Sequence, residues 1–189
     1  HQRTFFIITA MYLMYLRISE FVANERWIPL MGHFYKDGKD NWWFTTVSKG
    51  NKQRQITVSE DMLEALKKWR HYLNLSSLPP PNDNLPLIPK HKGKGAVSSI
   101  RMLRQLIQEC FDETTLELEK AGEKDEAAIM ERATVHWLRH TGISDDINKR
   151  GRPIIHVRDD AGHASIATTD LYNDAILQAR HLSGRKKTV

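Results

Sequence analysis

The chain has 189 residues, 40% of them apolar and 27% charged, which fits one soluble domain large enough to bury its own core. A single cysteine, Cys110, excludes an internal disulfide and fits a reducing compartment; it falls in an apolar helical pattern and reads as core packing. The longest apolar run, FFIITAMYLMYL, is too short to span a bilayer and lacks the flanks of a signal peptide, whereas the net charge of +5 suggests a polyanionic partner.

Residues 4–16 are nearly all apolar and predict a buried helix. The chain starts inside that helical pattern without a start methionine, so the expected organisation is one domain over 1–189 from which an N-terminal part has been removed. RISEFVAN follows, with Ser19 as a candidate cap for a second short helix. From Trp27 to Val58 the character changes to β-branched and aromatic. NWWFTTVS and QRQITV read as a hairpin across KGNK, and LMGHFY reads as a further strand turned by KDGKD.

Ser59 caps the next predicted helix, with Glu60 and Asp61 in its first turn and Met62, Leu63, Leu66, Trp69, Tyr72 and Leu73 on its apolar face. SSLPPPNDNLPLIP is expected to be a surface loop. Helix resumes at Ser98 or Ser99, carries Ile100, Leu103, Leu106, Ile107 and Cys110 on one face, and continues to Arg132 with a break near Gly122. His136–Lys149, Pro153–Ala161, Ile166–Leu171 and Ala175–His181 read as four more short helices, with Gly162 just past a helix end. The expected fold is mainly α with one small antiparallel sheet, an α+β class, and no internal repeats.

Charge is segregated along the chain. Lys90 to Arg104 holds five Lys or Arg and no acid, and residues 176–189 hold four and no acid. Glu109 to Arg132 carries nine acids against three bases. Such segregation suits a DNA-binding face, although a solvated acidic helix and a basic tail explain it equally well.

Five short stretches carry groups suited to phosphate chemistry. In HWLRHTG, His136 and Arg139 stand three apart and share a helix face, with Trp137 and Leu138 expected toward the core. AGHAS sets His163 at a helix start, where backbone N–H groups attract phosphate. LRISE puts Arg17 at a helix junction, where it either pairs with Glu20 or offers its fork to phosphate oxygens. SKGNKQR puts Lys49 at the lip of the hairpin, and ATTDLYND presents Tyr172 nine residues beyond His163. Each stretch alone is ordinary: a capped helix end, a turn lysine, a packed tyrosine. No HExxH or CxxC pattern points to a metal near them.

Taken in order, an arginine, a hairpin lysine, HxxR, GH and a tyrosine nine residues later, the chain resembles the catalytic domain of the tyrosine recombinase, or phage integrase, family. LRISE, KGNKQR, HWLRHT and GHASIATTDLY each match a box of that family and together span nearly the whole chain. The resemblance implies that Tyr172 attacks a DNA phosphodiester to give a 3′-phosphotyrosyl bond and a free 5′-hydroxyl. Arg17 and Arg139 would clamp the non-bridging oxygens, His136 would assist proton transfer at the nucleophile, His163 would bond a phosphate oxygen, and Lys49 would protonate the leaving oxygen. Glu20 resembles a structural acid. The chain departs from the family at Tyr15, where a glycine is common before LR, at Ala161 in place of the leucine of LGH, and in the polar GISDDINKR.

Two guanidiniums neutralise the equatorial oxygens of a phosphorane without a metal, and the covalent intermediate conserves the bond energy, so no cofactor or ATP is expected. The tyrosine, with a pKa near 10 when free, must lose its proton as it attacks, which calls for a nearby base. Lys52, Arg54, Lys90, Lys92, Lys94 and Arg101 are further candidates for contacting DNA. The resemblance implies duplex DNA and other recombinase protomers, as a tetramer on DNA, as partners, no membrane, and the prokaryotic cytoplasm or nucleoid as the compartment. Residues 176–189 are a candidate tail for packing on a neighbouring protomer or on DNA. The expected function is site-specific recombination or integration for a mobile element or prophage. A type IB-like topoisomerase, a non-catalytic DNA-binding module and a hydrolytic nuclease are the alternatives.

Overall fold

In a computed structural model, which describes residues 1–48 and 52–170, the chain is mostly helical with one three-stranded sheet. Helix α1 (Gln2–Leu13) buries Phe6, Ile7, Ala10 and Met11. A 3-10 turn, Ile18–Phe21, follows and is opened by Arg17 rather than by Ser19. The backbone N–H of Arg17 is held by the Glu20 carboxylate at 2.6 Å, a stronger partner than a serine hydroxyl.

The expected LMGHFY strand is mostly a 3-10 turn, Met31–His33, leaving only β1 (Phe34–Lys36) extended. β2 (Trp42–Ser48) pairs antiparallel with β1 and with β3 (Lys52–Thr57) as the predicted hairpin requires, but Lys52, read as part of the KGNK turn, belongs to the strand and pairs with Ser48. Phe34, Phe44 and Ile56 turn to the core, with Phe34 and Phe44 in ring contact at 4.5 Å.

Ser59 caps α2 (Glu60–Tyr72) by accepting from Met62 N at 3.3 Å. Trp69 is buried against Phe6 of α1, but Tyr72 of the predicted apolar face is 61% exposed and stacks on Trp69. The proline-rich segment after α2 is not wholly at the surface: Leu87 and Ile88 are fully buried. Its main chain pairs with distant segments, Leu87 N with Pro29 O and Val97 N with Ile88 O at 2.9 Å each. Trp69 Nε1 donates to Leu87 O, and a buried pair joins Arg70 to Asp83 at 2.8 Å. Proline blocks regular structure here, so tertiary partners satisfy the backbone instead.

α3 (Ile100–Ala121) is capped by Ser99 and ends at Gly122, whose φ of 84° closes the helix as a left-handed cap. α4 (Lys124–Glu131) carries the rest of the acidic stretch, and Cys110 is half-buried on α3. α5 (Val135–Asn148), α6 (Ile154–Ala161) and α7 (Ile166–Asp170) complete the described chain. The predicted helix over 175–181 lies outside the described residues. The main core joins α1, α2, α3 and the sheet, and a smaller cluster of Tyr15, Ile143, Val157 and Ala161 joins the end of α1 to α5 and α6. Among the described residues, no helix is long and apolar enough to cross a membrane.

Candidate active site

The junction after α1 positions Arg17. α1 ends at Leu13, and the chain turns sharply at Tyr15, a non-glycine residue at φ 52°. This is the position where the resemblance leads one to expect glycine, and the conformation explains why: a residue without Cβ takes it freely. Tyr15 is 1% exposed, and its phenol donates to Asp146 and accepts from Arg152 Nη1 at 3.0 Å. Burial first, and then the Asp146 hydrogen bond, push its pKa up.

Glu20 does not pair with the Arg17 guanidinium. Its carboxylate takes the Arg17 backbone N–H and, at 3.0 Å, Nη2 of Arg54; the side chains of Arg54 and Glu20 are 8% and 2% exposed. Arg17 Nη1 is therefore left buried with no hydrogen-bond partner among the described residues. A buried guanidinium N–H without an acceptor is costly, and a bound anion would relieve it.

α5 brings in His136 and Arg139, and separates them. Arg139 is 2% exposed, donating through Nη1 to Tyr15 O and through Nη2 to Ala161 O at 2.6 Å. The stripe that α5 buries is Arg139, Gly142, Ile143 and Asp146, so the helix docks through an arginine and an aspartate. Gly142 is required by close approach, since a Cβ there would overlap the carbonyl oxygen of Tyr12. Trp137 stands about 200° around the helix from Arg139 and is 41% exposed, contrary to its expected place in the core. His136 is exposed and lines a groove with Arg17, Arg101 and Arg104. Its ring meets that of His140 at 4.4 Å. Its pKa is lowered, first by burial and then by the charges of His140, Arg139 and Arg17.

α6 ends at Gly162, with φ 65°, and presents His163. A side chain at Gly162 would press on Arg54, whose Nη1 is 2.8 Å from where its Cβ would lie. His163 Nε2 lies 3.1 Å from Arg139 Nη2, and Nδ1 lies 2.9 Å from Thr169 Oγ1. Arginine can only donate, so Nε2 is the acceptor and Nδ1 carries the ring proton toward Thr169. Burial, then the charges of Arg139, Arg17 and Arg54, lower the His163 pKa to about 4. In this state Nε2 is an acceptor turned to Arg139, and Nδ1 is the ring's N–H donor.

These elements bound a cleft of about 800 Å³ whose lining includes Arg17, Arg26, Lys52, Arg54 and His163. Arg139 does not line its wall but lies buried behind His163. Lys49 and Tyr172 lie outside the described residues. Of the DNA-contact candidates, Lys52 lines the cleft and Arg101 the adjoining groove. Arg54 also lines the cleft, but its guanidinium is committed to Glu20. Lys90, Lys92 and Lys94 are exposed on the loop between Pro89 and Ala96 and line neither.

Sequence reasoning missed a polar circuit behind the cleft. Arg152 donates to Asp146 at 2.9 Å and to Asp160 at 2.7 Å, and Asp160 accepts from Thr57 N at 3.1 Å. Thr169, fully buried on α7, orients His163. The polar GISDDINKR stretch and the threonine pair before Tyr172 carried the only signal: acids and hydroxyls on short helices that lack apolar faces.

The family model described as the phage integrase family matches residues 2–178. A tyrosine recombinase XerC of Actinobacillus pleuropneumoniae serotype 7 (strain AP76) is 28% identical over 137 residues, covering 72% of this chain and 38% of that protein. Among solved structures, a XerH site-specific recombinase bound to palindromic difH substrate matches with a TM-score of 0.61 and 21% identity, covering 98% of this chain and 46% of that one. The Tn1549 transposon integrase in complex with circular intermediate DNA matches with a TM-score of 0.58 and 18% identity, covering 98% and 60%. The chain thus spans less than two thirds of the length of each of these proteins.

Proposed function

The chain belongs to the phage integrase family, and on that premise we propose that it is the catalytic part of a site-specific recombinase or integrase acting on duplex DNA through a 3′-phosphotyrosine. The observation that carries this reading is the buried Arg17 Nη1 without a partner among the described residues, on a residue lining a cleft where the guanidiniums of Arg17, Arg54 and Arg139 bear on His163. A site that holds a donor in waiting and a strongly positive field is built for an anion whose charge rises during reaction.

In this reading the Tyr172 oxygen bonds to the scissile phosphorus, and the bond from phosphorus to the 5′ oxygen breaks. The tyrosine proton passes toward His136, whose lowered pKa keeps it neutral and able to accept. The leaving 5′ oxygen takes a proton from Lys49 and departs as a hydroxyl. Arg17 contacts a non-bridging oxygen directly, and Arg139 adds its charge from behind His163. Attack by another 5′-hydroxyl reverses the step and reseals the strand, so no external energy source enters. Lys52 and Arg101 would hold flanking phosphates. Other protomers, assembled as a tetramer on DNA in the prokaryotic cytoplasm or nucleoid, are the proposed partners. Service to a mobile element is the narrower proposal and rests on the acidic α3–α4 hairpin.

The test is covalent trapping. The full chain is incubated with a pool of nicked duplexes of randomised sequence, and SDS-resistant adducts are recovered and sequenced. The reading expects adducts that vanish in Tyr172→Phe. Cleavage persisting in that variant means a nuclease, and sequence-selective binding without any adduct means a binding module. Strand exchange between two recovered duplexes separates a recombinase from a topoisomerase.

A further inference from the structure

We propose that Tyr15 is a positioning residue for Arg139, presenting its own carbonyl to the guanidinium from a left-handed turn that its phenol locks in place. The proposal rests on the reading of Arg139 as a phosphate-stabilising group.

The geometry forms a closed circuit. Tyr15 O accepts from Arg139 Nη1, and Arg139 Nη2 donates to Ala161 O at 2.6 Å. The residue before Ala161 is Asp160, whose carboxylate accepts from Arg152 Nη2 at 2.7 Å. Arg152 Nη1 returns to the Tyr15 phenol at 3.0 Å and to Asp146 at 2.9 Å. Asp146 lies on α5 seven residues beyond Arg139, two turns along the same buried stripe. Both ends of Tyr15, its carbonyl and its phenol, therefore bear on the placement of one guanidinium.

The backbone makes this more than packing. An L-residue with a Cβ is strained at φ 52°, and such a conformation persists only where its surroundings over-determine it. The phenol supplies that constraint, buried at 1% exposure and bonded to two charged groups. Without it, the turn can relax toward ordinary φ, swinging the carbonyl away from Arg139. The guanidinium would then keep its charge but lose its aim.

The experiment compares Tyr15→Phe, Tyr15→Gly and Arg139→Lys in the full chain, on a duplex recovered by trapping. Each is assayed on the natural phosphodiester and on the same duplex with a methylphosphonate at the scissile position. A methylphosphonate lacks the non-bridging negative charge, so aiming a guanidinium at it gains little. Tyr15→Phe should slow adduct formation about tenfold to a hundredfold on the phosphodiester while leaving DNA affinity within about twofold. That deficit should nearly disappear on the methylphosphonate. Tyr15→Gly, which takes the left-handed turn freely, should retain more activity than Tyr15→Phe despite losing the whole ring, and it serves as the second variant if Tyr15→Phe does not fold.

Equal slowing of Tyr15→Phe on both substrates, or no slowing at all, overturns the proposal. Arg139→Lys reports on the underlying reading separately. If its deficit also persists on methylphosphonate, Arg139 is not stabilising phosphate charge and the reading of the site falls first.

Discussion

Arg139 donates to His163 across 3.1 Å, and that contact makes Nε2 of His163 an acceptor in a ring that burial and the neighbouring guanidiniums keep neutral. Arg139 lies on α5 and His163 in the turn between α6 and α7, 24 positions apart, yet each sets the state of the other. The guanidinium depresses the imidazole pKa, and the imidazole fills part of the hydrogen-bonding capacity of the guanidinium.

Arg139 is accordingly both structural and functional. Arg139→Ala should abolish adduct formation, and it should also destabilise the fold by about 2–4 kcal/mol, because the carbonyls of Tyr15 and Ala161 lose their donor in a buried site. Urea unfolding measures the loss. A variant of unchanged stability would mean that those carbonyls find other partners.

His163 makes stability depend on pH. Free histidine takes up its proton near 6.5, whereas folded His163 does so only near about 4. Between those values the unfolded chain binds more protons than the folded one, so stability is complete above about 6.5 and declines as pH falls toward 4. His136 and His140 are lowered in the same direction and add to the slope. Thermal melts at pH 7.5, 5.5 and 4.5 should give a shallower decline for His163→Gln than for the unaltered chain.

The Glu20–Arg54 pair holds the cleft's edge. Glu20→Ala takes from the Arg54 guanidinium, 8% exposed, the carboxylate that it pairs with at 3.0 Å and should cost about 3 kcal/mol. Glu20→Gln keeps an acceptor and should cost less. Chemical denaturation midpoints of the two variants test this, and a Glu20→Gln midpoint equal to that of the unaltered chain would mean that Glu20 serves only to fill space.

Close helix contact gives a backbone test. Gly142→Ala places a methyl group against the Tyr12 carbonyl, where α1 and α5 meet main chain to main chain, and should destabilise by about 1–3 kcal/mol. Gly38→Ala meets nothing within 4 Å and should leave stability within about 0.5 kcal/mol. Calorimetry on the pair isolates the steric effect from any general cost of replacing glycine.

Much of this was legible in the chain. Ser59 caps its helix as read, the helix expected to resume at Ser98 or Ser99 is capped by Ser99, the two hairpin strands pair, and Gly122 and Gly162 close helices in the left-handed conformation. What misled was the assumption that helices bury their apolar side. α5 buries Arg139 and Asp146 and exposes Trp137, because hydrogen bonds to Tyr15 and Arg152, rather than apolar area, dock it. The proline-rich segment misled similarly: its composition forbids regular structure, but Leu87 and Ile88 are carried into the core by long-range backbone bonds.

The amino-acid sequence by itself determined which chemical groups are available and in what order, because spacing along one helix or across one turn is a local property of the chain. HxxR, the arginine of LRISE and the histidine of AGH belong to that class. Only the tertiary structure decided what each group does with its hydrogen bonds. Glu20 went to Arg54 and not to the Arg17 guanidinium, Arg139 went to two carbonyls and His163, and Tyr15 took a turn made for glycine. Those pairings are set by distances between residues far apart in the chain, and a buried donor takes whichever acceptor the packing brings within reach.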